Sequence, residues 1–232
     1  MKSIKIENKM VLPNISFGLL HIENFTISES RTLKEKLDEL IQLRKSHPLT
    51  EKEEKIREEC RNMLRNGKYK PTGRRKPASE YLLRSALENN FPIINNAVDS
   101  NNYISLKYLI PISVWDIDLA QSNHFIFRLG NESENYIFNH TGQVIELHDL
   151  ITGFSKYDDI EMPIVTPIKD SLKTKIQRTS THIASALYFP TSVFSEKEQL
   201  DITKEFLDIL LFTSESAIGI YSIALSSQTL LI

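Results

Sequence analysis

The sequence predicts a single α+β domain with an antiparallel or mixed β-sheet and flanking helices. Three observations carry that reading. Apolar residues recur at helical spacing through much of the first half. From about residue 123 the pattern changes to short segments rich in Ile, Val, Phe and Tyr, separated by Gly, Asn, Asp or Pro. No repeat, low-complexity tract or long linker interrupts the 232 residues, 41% of them hydrophobic and 25% charged, a composition ordinary for one folded domain. Domain 1–232 divides by pattern into N-terminal strands and a helical hairpin (1–67), a motif-bearing core (68–190), and a C-terminal helix and strand (191–232).

Taken in order, 3–7 and 16–22 alternate or cluster apolar side chains and read as strands around a turn at Pro13 and Asn14. Residues 31–44 place Leu33, Leu37, Leu40 and Ile41 at helical spacing, with Ser30 or Ser28 as cap. Pro48 breaks that helix. Thr50 starts the next, with Glu53 three residues on completing a possible capping box; the pair forms a hairpin ending at Gly67. A third helix spans 78–88, capped by Ser79 or a neighbour, with Tyr81, Leu82 and Leu87 facing inward. A fourth covers 98–109. Strands follow at 123–129, 135–138, 143–147, 162–168 and 181–188, then a helix over 194–212 and a closing strand over 217–225.

Common signatures of nucleophilic and phosphate-loop enzymes are missing, and the seven glycines are not clustered. Cys60 is the sole cysteine, so no disulfide can form within the chain. It shares a helical face with Ile56, Met63 and Leu64 and reads as a small buried hydrophobe. The six histidines (His21, His47, His124, His140, His148 and His182) never fall at the spacing that helical metal sites favour, so neither zinc nor another metal is expected, and no cofactor. No apolar run is long enough to span a bilayer, and no secretory segment opens the chain, so no membrane association and a cytoplasmic location are expected.

Formal net charge is −2, unevenly spread. Residues 31–76 carry fifteen Lys/Arg against eight Asp/Glu; the rest carries thirteen against twenty-two. Such a basic region either binds phosphate or lies on the solvated faces of two charged helices. Its densest part, Lys68, Lys70, Arg74, Arg75 and Lys76, contains Pro71 and Gly73 and reads as a loop suited to phosphate. Polar residues within apolar segments are the remaining candidates. Asp99, Asn102 and Ser105 lie three apart on one helix and could share a cavity. Asp99 serves equally as a cap, and Asn102 as a buried amide satisfying loop backbone. Asp116 and Asp118 flank Ile117 and would project from one side of an extended stretch; a turn role fits one of the two. Arg84 lies four residues after Glu80, an i,i+4 pair.

Three motifs in order resemble one family. Val98, Asp99, Asn102, Ser105 and Leu106, then Pro111, then Trp115, Asp116 and Asp118, form the first; Lys76, Pro77, Ser79, Leu82 (or Leu83) and Arg84 lie upstream; Asp170, Ser171, Thr174, Lys175 and Ile176 lie downstream. The arrangement is similar to free-standing relatives of the tRNA-editing domain in the β-subunit of phenylalanyl-tRNA synthetase, over nearly the whole chain. That resemblance implies the fold given above and an aminoacyl-tRNA-binding protein that hydrolyses the ester of a wrongly attached amino acid, with the aminoacylated tRNA 3′ end as partner. An activated ester requires no metal: placing a water and polarising the carbonyl suffice. The resemblance implies Asn102 and Asp116 as catalytic, Asp116 receiving the α-ammonium group. Lys76, Ser79, Arg84, Ser105, Ser113, Asp118, Asp170 and Thr174 would contact substrate; Lys68, Lys70, Arg74 and Arg75 would contact tRNA phosphate. Ser113 stands where the synthetase domains carry a histidine, which alters the pocket and its substrate. Transfer of the amino acid to another acceptor, and RNA binding without catalysis, are the alternatives.

Overall fold

The N-terminal alternation produces two strands, β1 (Lys5–Asn8) and β2 (Ile15–Glu23), which enter different sheets. The structure, a computed structural model, describes residues 2–12 and 14–232; Pro13, and with it the expected turn, lies outside the described residues. Next come α1 (Arg31–Ser46) and α2 (Glu51–Asn62). Ser30 caps α1 by accepting from the Leu33 N–H, and Thr50 and Glu53 close a reciprocal capping box on α2. One Glu53 oxygen accepts from the Thr50 backbone at 2.8 Å while the other pairs with Arg44 of α1. A single carboxylate thus caps one helix and ties it to its neighbour. Replacing Thr50 with alanine should cost about 1 kcal/mol in urea unfolding.

After the loop at 68–77 come α3 (Ala78–Leu87) and α4 (Asn96–Tyr108). The inward face of α3 is Ser79, Leu82, Leu83 and Ala86; Tyr81 and Leu87, expected inside, are about half exposed. The buried stripe therefore follows i, i+3, i+4, i+7 from Ser79, and the two large apolar residues flank it. Nor does Ser79 cap α3: Pro77 occupies that position without a side-chain bond. On α4 the cap is Asn95, which accepts from the Val98 N–H at 3.0 Å. Cys60 of α2 is buried, and burial raises its thiol pKa, as expected of a core residue.

The remaining elements are β3 (Ile112–Asp116), a one-turn helix α5 (Ile117–Ala120), β4 (His124–Leu129), β5 (Asn135–Ile137), β6 (Val144–Glu146), β7 (Ile151–Tyr157), β8 (Ile160–Val165), β9 (Ile183–Pro190), α6 (Glu196–Phe212), β10 (Ile218–Ala224) and β11 (Thr229–Leu231). One sheet runs β11-β1-β4-β7-β8 and the other β10-β2-β9-β3; β5 and β6 form a separate ribbon. The β1–β4 pair is parallel and the others are antiparallel. The fold is the mixed α+β architecture that the sequence predicts.

Aromatic side chains join the two large sheets. Phe17 of β2 packs on Phe127 of β4 at 4.6 Å between ring centroids, and Trp115 of β3 meets Phe125 of β4 edge-on at 5.3 Å. On the opposite side of β2 the next residue is Gly18. A Cβ there would collide with Thr203 Oγ1 of α6 and lie 2.9 Å from the Phe189 ring. Only glycine lets α6 lie this close to the strand. The second sheet is thus sandwiched between the first sheet and the helices, and one buried apolar cluster runs from Ile4 to Ile232. No helix among the described residues is long and apolar enough to cross a membrane.

Candidate functional site

Helices α3 and α4, strand β3, the loop at 73–77 and the loop at 168–176 enclose a cavity of about 1510 Å³. Drug-sized ligands occupy roughly 300–1,000 Å³, so a larger molecule or the end of a polymer fits here. Eight Lys/Arg residues line it against three Asp/Glu, on a chain of net charge −2.

Several of those cations are already committed. Arg44 pairs with Glu53 and donates to the Leu106 and Lys107 carbonyls that end α4. Glu80 pairs bidentately with Arg61 and lies 3.6 Å from Arg57. Burial opposes ionisation of Glu80, but those guanidinium groups hold it below the usual carboxylate range. Arg61, rather than Arg84, is therefore the close partner of Glu80. Arg84 lies over the Tyr81 ring at 5.5 Å, beside exposed Leu87 and Ile94. Arg74 and Lys76 differ: among the described residues neither makes a hydrogen bond or ion pair. Lys169 lies 4.1 Å from the Phe138 ring centroid and Lys175 donates to the Phe138 carbonyl at 2.6 Å. Burial depresses the pKa of both lysines, and for Lys169 the charges of Arg74 and Lys175 add to the effect. The cluster is short of negative charge, and a bound anion would relieve it.

The cavity floor has the opposite character. Asp170 is partly buried and lines the cavity. Burial pushes its pKa up to about 7, against the opposing effect of hydrogen bonds and of Lys175. The Ser113 hydroxyl, itself wholly buried, donates to Asp170 at 2.7 Å. Tyr188 is 3.0 Å behind Ser113, and with that serine's hydrogen directed to Asp170, the phenol is the donor. Ser113 therefore positions Asp170 from behind and does not itself line the cavity.

Asn102 and Asn101 extend from α4 into the cavity wall, both largely buried. The Asn101 amide approaches Asn102 Oδ1 at 3.4 Å, and Asn101 Oδ1 has no partner among the described residues. The Asn102 N–H groups have no acceptor among the described residues. Of these atoms Asn101 Oδ1 is the buried one, and buried amide groups rarely go unsatisfied without a reason.

Of the residues given a site role from sequence, Arg74, Lys76, Arg84, Asn102 and Asp170 line this one cavity, together with the motif residues Pro77, Leu82, Val98, Lys175 and Ile176. The others lie elsewhere. Asp116 is a correction: one carboxylate oxygen caps α5 by accepting the Leu119 N–H at 2.8 Å, and the other receives the Ser180 hydroxyl. Both oxygens are engaged away from the cavity, so the turn role expected of one of the two acidic residues falls to Asp116. Asp118 is exposed on α5, 3.4 Å from His182. Ser105 donates to the Ile110 carbonyl at 2.6 Å and fastens the end of α4, where Leu109 turns left-handed. Asp99 accepts the Ile94 N–H at 2.8 Å, anchoring the loop before the helix. Ser79 and Thr174 are buried, their hydroxyls unpaired among the described residues, but do not line the cavity. Neither do Lys68, Lys70 or Arg75; the Arg75 guanidinium is 5.9 Å from the Tyr69 ring centroid.

Sequence reasoning missed the contributions of Lys169 and Asn101. Asn101 could have been found as one of two adjacent amides on a helix whose buried face is mostly polar. Histidine spacing along the chain also missed that the fold brings His21 and His182 side by side, outside the cavity.

No curated protein matches the chain significantly. Residues 60–208 match the B3/4 domain, a segment that holds the whole cavity floor and the cationic loop at 73–76. The chain therefore belongs to the B3/4 domain family, the domain found in the β-subunit of phenylalanyl-tRNA synthetase, and this membership points to tRNA-related binding.

Proposed function

We propose that the cavity receives the aminoacylated 3′ end of a tRNA and that the protein hydrolyses the ester joining amino acid to ribose. One observation carries the reading: unpartnered cations at the rim stand over a partly buried carboxyl on the floor. An aminoacyl-tRNA terminus has the complementary order, with phosphates outside and an α-ammonium group inside. Arg74 and Lys76 meet the phosphates, and Tyr81 with Arg84 offers a stacking surface for a terminal base. Asp170, largely ionised above pH 7, receives the ammonium group, the role that the family resemblance implied for Asp116.

The chemistry is modest because the ester is already activated. A water oxygen attacks the carbonyl carbon, the ester C–O bond breaks, and a proton from water ends on the ribose hydroxyl. The products are free amino acid and uncharged tRNA. As negative charge grows on the carbonyl oxygen, the free Asn102 N–H donates to it, and this bond strengthens only as the transition state forms.

The test is release of amino acid from tRNAs charged with each of the twenty amino acids. Release above buffer for at least one is expected, and no release from any eliminates hydrolysis. Recovery of the amino acid on a second acceptor in cell extract would instead indicate transfer. Replacing Arg74 and Lys76 together with alanine should weaken tRNA binding about tenfold at low salt. It should also flatten the salt dependence by about two counterions, measured by filter binding across a salt series.

A further inference from the structure

Away from the cavity, three side chains of metal-ligand type meet at one end of the second sheet. His21 and Glu23 are two apart on β2 and so leave the same face of the strand. His182 directly precedes β9, and continuing the β2–β9 register one step places it opposite Glu23. The Nε2 atoms of His21 and His182 are 2.7 Å apart, and Glu23 Oε1 lies 4.0 and 3.9 Å from them. One ligating atom from each of the three falls within 4.8 Å of the other two.

The ring partners favour one placement of the protons. His21 Nδ1 faces the Ile232 carbonyl at 3.3 Å, and His182 Nδ1 faces an Asp118 carboxylate oxygen at 3.4 Å. Both partners are acceptors only, which favours a proton on each Nδ1 and a bare Nε2 on each neutral ring. Two lone pairs directed at each other at that distance repel unless a positive charge lies between them. A backbone carbonyl behind one ring and a carboxylate behind the other is also the outer arrangement that orients metal-bound histidines.

We propose that His21, His182 and Glu23 bind a divalent transition-metal ion of zinc type, with water completing the coordination. Two imidazoles and one carboxylate suit zinc. Zinc–nitrogen bonds of about 2.0–2.1 Å at a tetrahedral angle place the two nitrogens about 3.3 Å apart, so the rings must part slightly. His182 is the one able to move: its side chain is 14% exposed, against 0% for His21, and its partner Asp118 is 68% exposed. Glu23 Oε1 accepts the Lys2 backbone N–H at 2.7 Å and keeps that bond while its carboxylate turns to the ion. The ion clips β2 to the start of β9, and through Asp118 and Ile232 it is linked to α5 and the last strand. The site is independent of the cavity.

Chelator-stripped, untagged protein is titrated with zinc chloride by calorimetry, and with cobalt chloride to follow ligand-field absorption. One equivalent per chain is expected, with a melting temperature that rises with zinc. His182→Ala, at the solvent-facing side of the pair, should lose at least about tenfold in affinity and the zinc-dependent melting shift. Asp118→Asn should lose up to about tenfold, because it removes only the charge behind the ring. Asn102→Ala should bind zinc like the unaltered protein, so a failed deacylation assay and a failed metal titration remain separable. Absence of saturable binding, or equal zinc affinity in His182→Ala, overturns the proposal. So does an imidazole nitrogen spectrum that keeps a proton on Nε2 in excess zinc, because a shared proton would then occupy the gap.

Discussion

Replacing Asn102 with alanine is expected to slow amino-acid release from charged tRNA by about 10²–10³-fold, equivalent to roughly 3–4 kcal/mol, with little change in tRNA affinity. The size follows from what this amide lacks. It is 6% exposed, and its N–H groups have no acceptor among the described residues. A ground-state carbonyl gains little from such a donor, whereas an oxyanion gains several kcal/mol where water is excluded. The loss should therefore appear in kcat and not in KM. Single-turnover kinetics at saturating enzyme separate the two. Wild-type release by Asn102→Ala would remove the amide from the mechanism, and parallel loss of binding and rate would make it a binding group only.

The second large effect concerns Asp170. Its carboxyl rises from 3.8 to about 7 in the folded protein. Between about pH 4 and 7 the unfolded chain has already released this proton while the folded chain retains it, so stability falls as pH rises through that window. Above pH 7 the full penalty applies, about 4 kcal/mol at 1.36 kcal/mol per unit. Asp170→Asn keeps an oxygen to accept from Ser113 and carries no charge. It should therefore be more stable than the parent at pH 8.5 by about that amount, and nearly equal to it at pH 4. Urea unfolding at the two pH values reads the difference directly. Equal stability at both would mean that the carboxyl titrates in the ordinary range. The gain comes with a loss, because the variant should no longer discriminate an amino acid from its deaminated analogue. A buried carboxyl with a destabilising charge is retained when that charge serves a ligand.

The helices were legible because their signals are local. Thr50 and Glu53 predict a cap that the backbone then makes, and the apolar period of 31–44 needs no distant partner. Strand β7 was not legible. Thr152, Gly153 and Ser155 make it look like a loop, yet it lies between β4 and β8. A Cβ at Gly153 would sit 2.6 Å from Val165 and 2.9 Å from Phe127, so its neighbours explain its composition. The polar face of α4 shows a similar limit. Asp99, Asn102 and Ser105 do lie along one stripe, but even a stripe of about two turns passes different surroundings. Its ends hold the backbone at Ile94 and Ile110, and only the middle reaches the cavity. Asp116 precedes a single helical turn, and the cap it makes is the local signal that an Asp-x-Asp pattern also carries. His21 and His182 meet through strand pairing across 161 positions, which no spacing along the chain reveals.

The pairing of β1 with β11 and β4 has a consequence for how the molecule is made. Its first strand is held by β11 on one side, and the Asn8 side chain donates to the Leu225 carbonyl 217 residues away. During synthesis β1 leaves the ribosome long before either neighbour exists, and an unpaired strand edge is where nascent chains stick to one another. Closure of that sheet must await β11. Refolding should accordingly be slow for a chain of this size, and its yield should fall as the concentration of unfolded protein rises.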